Sequence, residues 1–531
     1  MRSRGSALPA IALATLALLP FANKAFTIDD TLFLRQAEHL LTDPLHPTAF
    51  EMTWTEVPAR LSSIMPSGPV MAWLLVPALR LGGVEWAAHL ATLLLLVVGL
   101  WATAGIARRI GLEEWGATVA CLLVASAPAV LGMGATAMPD VPAMALGALG
   151  IERLLAWRDE RRWHQGLISA LGLGLAPLAR SHLGLLLFVG VLALLDQRDP
   201  LLWASYKALP RSRWLPLVGA LALSFAVMRI TRDPLPKGAS VAGAAVGFAT
   251  LGSLHRNLVA FAAHWMLAMP LALPWAVVRG RAMPWRYAWF LLPAMMVLMA
   301  LSGFAWHLGL APLPTVGALA LIDIVQDGWR RRDRVQLLLA AWLLVALPVC
   351  LYIHMAPKYV IASAPAGALL VARLFAVQKR RNLLALATVA IGLLLGVAIL
   401  RADEQFSGLA RRAVSTFIAP RIAAKQHVWF AGHWGFQWYA ERAGARCLTK
   451  TPPFPAPGDV VVSSARSEGF VIDRFPNRRW IDGLADDTPG GRVMSRADCI
   501  GFYSDHWGIL PWGWGWEPID RFDVWEMGER N

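Results

Sequence analysis

The sequence predicts a polytopic α-helical membrane protein with a small mixed α/β domain at its end, and three observations carry that prediction. Apolar runs of helical length recur through the first 400 residues, basic clusters fall between alternate runs, and the composition turns polar after residue 400. Of the 531 residues, 57% are hydrophobic and 16% charged, against about a quarter charged in an ordinary soluble domain. With a mean hydropathy of +0.50, the apolar surplus exceeds what a core absorbs and calls for contact with lipid. The net charge of +14 does not argue for nucleic acid. Its excess lies in short clusters beside apolar runs, and no phosphate-loop or dinucleotide motif is visible.

The apolar segments fall at 7–25, 86–107, 115–134, 139–157, 164–179, 182–196, 214–230, 256–278, 286–302, 304–325, 335–353, 358–376 and 382–400. They predict about 13 transmembrane helices. The first, with Arg2 and Arg4 ahead of it, has the outline of a signal peptide but is read as an uncleaved helix because so many spans follow. With the N-terminus inside, the cytoplasmic loops carry Arg108-Arg109, Arg158 with Arg161-Arg162, and Arg198 with Lys207, Arg211 and Arg213. Further on they carry Arg279 and Arg281, then Arg330-Arg331-Arg332 with Arg334, and last Lys379-Arg380-Arg381. Every strong cluster then lies on one side, as the positive-inside rule requires. The assignment needs 69–82 to be an interfacial helix, since counting it as a span reverses every later cluster.

Residues 1–400 thus form a transmembrane domain whose long first outward loop, 26–85, contains interfacial helices. Residues 401–531 form an outward α/β domain. There Val428–Tyr439 has strand-like residues, and Asp459–Ser463 and Phe470-Val471-Ile472 read as short buried strands. Trp507, Trp512, Trp514, Trp516 and Trp525 crowd its end, which suits anchoring at the headgroup layer, with stacking on a sugar or lipid as the other reading. Cys121 and Cys350 sit in apolar runs as core thiols. Cys447 and Cys499 lie in the polar tail and are expected to pair as a disulfide outside the cytoplasm.

Charged groups at the bilayer edge are costly and usually kept for a purpose. The outward helix ends carry Asp29-Asp30, Asp140, Arg180 and Lys358, with His182, His354 and Tyr359 beside them. Carboxylates supply a general base and cations hold phosphate. Such a set suits group transfer from a phosphorylated lipid. Plainer roles stand beside this reading: Asp140 as a helix cap, Arg180 and Lys358 as snorkelling residues at helix ends.

Five short motifs occur in order: Phe26-Thr27-Ile28-Asp29-Asp30-Thr31-Leu32-Phe33-Leu34, Pro66-Ser67-Gly68-Pro69 before an apolar helix, Met138-Pro139-Asp140-Val141-Pro142, Ala179-Arg180-Ser181-His182-Leu183-Gly184-Leu185, and Ala356-Pro357-Lys358-Tyr359. On this topology they resemble the integral-membrane glycosyltransferases of the GT-C fold. The branch in question is bacterial (glycosyltransferase family 39-like), related to the protein O-mannosyltransferases and the aminoarabinose transferase of lipid A. The resemblance implies a multi-pass protein of the bacterial inner membrane with its active site on the periplasmic face. It implies an inverting transfer from a polyprenyl-phosphate-sugar donor to a lipid, glycan or protein hydroxyl. It also implies a first-loop acid as catalytic base, Asp30 being favoured over Asp29, with Asp140 lining the site. Arg180, His182, His354, Lys358 and Tyr359 are the implied substrate-binding residues. The aminoarabinose transferase's acidic-basic-proline sequence, whose acid binds a metal, is replaced here by Met65-Pro66-Ser67-Gly68, so that metal ligand does not carry over and a divalent metal stays open. A transporter or flippase of a lipid-linked substrate is the rival reading; it would place its polar groups at mid-membrane.

Overall fold

In the computed structural model, residues 5–54, 57–65, 68–195, 210–232, 251–467 and 471–529 are described. Among them, five helices are long and apolar enough to cross a membrane: Glu85–Arg109, Arg211–Ile230, Arg334–Leu351, Pro357–Ala376 and Arg381–Ala423. Two bent pairs, Glu114–Ala125 with Pro128–Gly134 (58°) and Ala272–Ala282 with Trp285–Leu301 (105°), raise the number to seven if each is one span. The first bend has a local cause. Pro128 has no N–H and forces Ala127 into an extended conformation (ψ 124°), so the helix stops and restarts in a new direction. Other expected spans form shorter helices, Leu8–Leu18 and Trp163–Ala179 among them. The helix Asp140–Glu160 carries a buried acid, Glu152, in its apolar stretch, where Arg109 and Arg153 pair with it.

Side chains tie together the ends that the charge pattern assigned to one face. Arg108 donates to Ser6, Arg109 pairs with Glu160, Trp115 donates to Asn382, and Arg161 donates to Ser212. The opposite ends meet around residues 24–30, 137–140, 180 and 358. Within the first loop, the helix Asp30–Leu40 packs on the helix Val70–Arg80. Eleven residues reach only about 16 Å at ~1.5 Å per residue, so the 69–82 element is too short to cross ~30 Å of hydrocarbon. Of the segment before it, Pro66 and Ser67 lie outside the described residues, as do Arg198, Lys207 and most of the loop 231–256.

The tail differs from expectation in three places. The boundary expected at 400/401 falls inside a continuous helix, Arg381–Ala413, because polar residues enter the chain there but no helix breaker does. The change of architecture comes instead before the strand Val428–Ala431. Of Phe470-Val471-Ile472, Phe470 is outside the described residues, and Ile472–Arg474 is a single 3-10 turn. The Arg478 guanidinium takes the carbonyls of Ile472 and Phe475 and folds the segment back. Cys447 and Cys499 are free thiols. Cys447 sits on the edge strand of the sheet, while Cys499 is buried in the main hydrophobic core.

The expected strand at 459–463 is present as Val460–Ser464. It lies in a five-stranded sheet ordered Arg446–Cys447, Val428–Ala431, Val460–Ser464, Arg521–Met527, Arg478–Ala485. The first three strands are parallel and Arg521–Met527 runs antiparallel to both its neighbours. Alternate residues face opposite sides. Phe430, Val462 and Phe522 pack one way, while Trp429 and Val461 pack the other. Between strands, the helix Trp434–Arg442 sits on the first loop. Thr31 donates to the Trp434 carbonyl at 2.5 Å and Gln437 donates to the Thr53 carbonyl at 2.9 Å. Tyr439 accepts from the Phe26 N–H at 2.9 Å and donates to Glu85 at 2.7 Å. Gly435 permits this approach, since a Cβ there would stand 1.9 Å from the Phe26 carbonyl oxygen. Gly435→Ala is therefore expected to cost about 1–3 kcal/mol through overpacking. The checks are a lowered melting temperature and faster amide exchange across 26–40; unchanged exchange would show that the close approach is not needed.

Candidate active site

Four helix or turn ends bring the site together. Asp29 and Asp30 begin the helix Asp30–Leu40, and Asp140 is the first residue of Asp140–Glu160. Acids at these two starts complement the positive ends of the helix dipoles. Arg180 follows the end of Trp163–Ala179, and Lys358 and Tyr359 lie in the turn Pro357–Ser363. Just before the acids, Ile28 holds a φ of +38°. A β-branched residue rarely adopts this region, and such positions cost of order 1–3 kcal/mol.

The centre is the Tyr359 ring. The Arg180 guanidinium lies 5.3 Å from its centroid and the Lys358 ammonium 5.6 Å. His182 meets the ring edge-on at 6.3 Å, and His354 Nε2 lies 2.8 Å from the Tyr359 hydroxyl. Arg180 grips Asp140 with two parallel bonds, Nε to Oδ1 at 2.9 Å and Nη2 to Oδ2 at 2.8 Å. That fork is the geometry guanidinium favours with a carboxylate. The residue at the cap position is Pro139, which has no side-chain capping bond, and the Asp140 carboxylate serves the ion pair with Arg180. Lys358 Nζ donates to Asp29 Oδ2 at 2.6 Å. Burial would raise the Asp29 carboxyl, but Lys358 and then Arg180 outweigh it and hold it below the usual carboxylate range. For His354, burial and then Lys358 push the imidazole down to about 3, so it is neutral.

Asp30 is differently placed. Its side chain is wholly buried, Oδ2 accepting from the Thr27 N–H at 2.9 Å and Oδ1 from the Ala137 N–H at 2.8 Å. It therefore braces the first loop against the turn that leads into Asp140. Burial pushes its carboxyl up to about 7 against the pull of Lys24 and the two N–H donors. Among the described residues, no three His, Cys, Asp or Glu side chains are grouped to hold a metal ion.

Behind Asp30 lies a cluster that the sequence reading missed. Lys24 and Asp403, both fully buried, pair at 2.6 Å, and the Tyr503 hydroxyl donates to Asp403 at 2.7 Å. A lysine at the end of an otherwise apolar first span was a usable signal. Asp403 and Tyr503 gave none, being ordinary residues in a polar tail.

Residues 66–230 match the family described as dolichyl-phosphate-mannose-protein mannosyltransferase. The matched segment contains Asp140 and Arg180. No match was found among curated protein sequences. Among solved structures, the chain is similar to ArnT from Cupriavidus metallidurans bound to undecaprenyl phosphate. Identity is 17% over 86% of this chain and 93% of that one, with a TM-score of 0.44. It is also similar to the arabinofuranosyltransferase AftD from Mycobacteria, at 16% identity over 98% of this chain and 40% of that one, with a TM-score of 0.39. The motif reading and the family match agree on the class. The chain resembles the GT-C membrane glycosyltransferases, and within them the protein mannosyltransferase kind.

Asp30→Asn places an amide NH2 against a backbone N–H donor and is expected to cost about 1–3 kcal/mol. The wild-type carboxyl titrates higher in the folded chain than the ~3.9 of an unfolded one. Its contribution to stability is therefore full below about pH 4 and is lost as pH rises through 7. Melting temperatures measured from pH 4 to 8 should show Asp30→Asn below wild type, with the gap narrowing as pH rises. A constant gap would show that Asp30 does not titrate in this range.

Proposed function

We propose that the chain is an inverting glycosyltransferase of the bacterial inner membrane, with Asp29 as general base. It takes a sugar from a polyprenyl-phosphate-linked donor to a hydroxyl on a lipid, glycan or protein acceptor at the periplasmic face. One observation carries the reading: of the adjacent acids, Asp29 is the one whose carboxylate is partly open (27%) and held against a cation, Lys358. Asp30 is fully buried on two backbone N–H groups, which leaves it a bracing role. The basic clusters at the opposite end favour the periplasmic assignment. The matching family's description names a dolichyl-phosphate-linked mannose, a donor of this chemical kind.

The chemistry then runs on this chain's own groups. Asp29 takes the proton of the acceptor hydroxyl as the acceptor oxygen bonds to the anomeric carbon. The bond from that carbon to the phosphate oxygen breaks, and its electron pair leaves with the polyprenyl phosphate, whose charge Lys358 and Arg180 hold. Without donor, both cations are committed to acids. The arriving phosphate draws Lys358 from Asp29, and the freed carboxylate becomes a stronger base.

The test is transfer by purified protein in detergent from candidate polyprenyl-phosphate sugars. Asp29→Asn should lower kcat by roughly 10²–10⁴, the range for a lost general base, with donor binding kept. Lys358→Met should weaken donor binding about 10–100-fold, as for a charged hydrogen bond of ~1.5–3 kcal/mol. Near-wild-type turnover by Asp29→Asn would sink the assignment of the base.

A further inference from the structure

The loop that carries His354, Lys358 and Tyr359 has little regular structure of its own between Tyr352 and Ala356. Its carbonyls are held by side chains of one helix, Leu254–His264. Asn257 Nδ2 donates to the carbonyls of Cys350 at 2.9 Å and Tyr352 at 2.6 Å. Arg256 Nη2 donates to the Ile353 carbonyl at 2.6 Å, and His264 Nε2 lies 3.0 Å from that of Met355. Arg256 is itself held from the far end of the chain. Asp505, with a fully buried side chain, stands 3.1 Å from Arg256 Nε as an ion pair without hydrogen-bond geometry. Its neighbours pin the same stretch of tail. His506 lies 6.1 Å from His354, ring to ring, and Tyr503 is bonded to the buried Asp403.

We infer that the tail is a working part of the donor site: Asp505 fixes Arg256, Arg256 fixes the Ile353 backbone, and the loop from there sets where Lys358 meets the donor phosphate. Asp505 is thus a positioning residue, acting through a chain of contacts and touching no reacting atom. A guanidinium is a rigid plane, so the charge of a carboxylate beside its Nε edge biases where its other N–H groups point. Without the carboxylate, Arg256, whose side chain is 16% exposed, turns toward water, and the loop loses the bond at Ile353, five residues ahead of Lys358. This inference rests on the proposed reading that Lys358 receives a polyprenyl phosphate.

The experiment titrates undecaprenyl phosphate against full-length protein in detergent. Asp505→Asn should weaken binding about tenfold, which is ~1.4 kcal/mol, and should raise the donor KM more than it lowers kcat. The double variant with Lys358→Met should bind no worse than Lys358→Met alone, since residues acting through one another do not add. Gln426→Ala, on an exposed part of the tail, should bind as wild type. Binding by Asp505→Asn equal to wild type, or losses that multiply in the double variant, would overturn the inference. If Asp505→Asn does not fold, Arg256→Lys keeps the charge, loses the fork and is read by the same titration against the same outcomes. Wild-type protein that does not bind undecaprenyl phosphate would overturn the donor reading, and this inference with it. Wild-type binding matched by the variants overturns the inference alone.

Discussion

A charge at the edge of a bilayer must have a partner, and the end of this protein that gathers residues 24–30, 137–140, 180 and 358 is built on that constraint. Taking an ion from water into protein costs several kcal/mol, and removing one member of a buried pair costs about 3–5 kcal/mol because the other is left alone. The partners here come from distant parts of the chain. Lys24 pairs with Asp403 across 379 residues and Asp29 with Lys358 across 329. Arg256 reaches Asp505, and Asp140 reaches Arg180. Apolar packing gives such helices little reason to choose one arrangement over another, since lipid is as apolar as their own side chains. The pairs supply that reason, because each forms in one arrangement only.

The same constraint joins the tail to the membrane part. The Tyr503 hydroxyl donates to Asp403 of the Lys24 pair, and Asp505 pairs with Arg256, so both tail residues reach into the first 403 residues. Cys499, Phe502 and Ile509 belong to the hydrophobic core that contains Leu96 and Leu131. The sheet between residues 428 and 527 has its own two packed faces, but the segment around 499–510 belongs to the membrane part by packing. Composition marks a change at 401. The physical joint is elsewhere, because a helix continues until something breaks it, and polar residues do not.

The broad plan was legible because it rests on properties that add along the chain. Apolar run length, basic clusters and motif order need no knowledge of contacts, and six of the residues they pointed to lie close together with Tyr359. The choice between Asp29 and Asp30 needed more. Successive residues of a helix point about 100° apart at 3.6 residues per turn, so one acid faces the cations and the other faces the backbone. A two-residue motif does not say which. The Cys447–Cys499 pairing failed for a related reason: both thiols lie in the tail, yet one is on the sheet edge and the other in the membrane-side core. Asp505 carried no signal, since its meaning depends on an arginine some 250 residues earlier.

Pairing also shapes how the proposed reaction begins. With no donor bound, the two cations beside Tyr359 are matched by two carboxylates, so the site is charge-balanced. A phosphate entering it competes for a cation. Arg180 holds Asp140 by two bonds, whereas Lys358 holds Asp29 by one, so Lys358 is the one that exchanges more readily. On the proposed reading, this exchange does two things at once. It secures the leaving group, and it removes from Asp29 the charge that kept its carboxyl low. The base is then strongest when a donor is present. An acceptor that arrives first meets a carboxylate still held by Lys358, which makes donor binding the step that readies the site for chemistry.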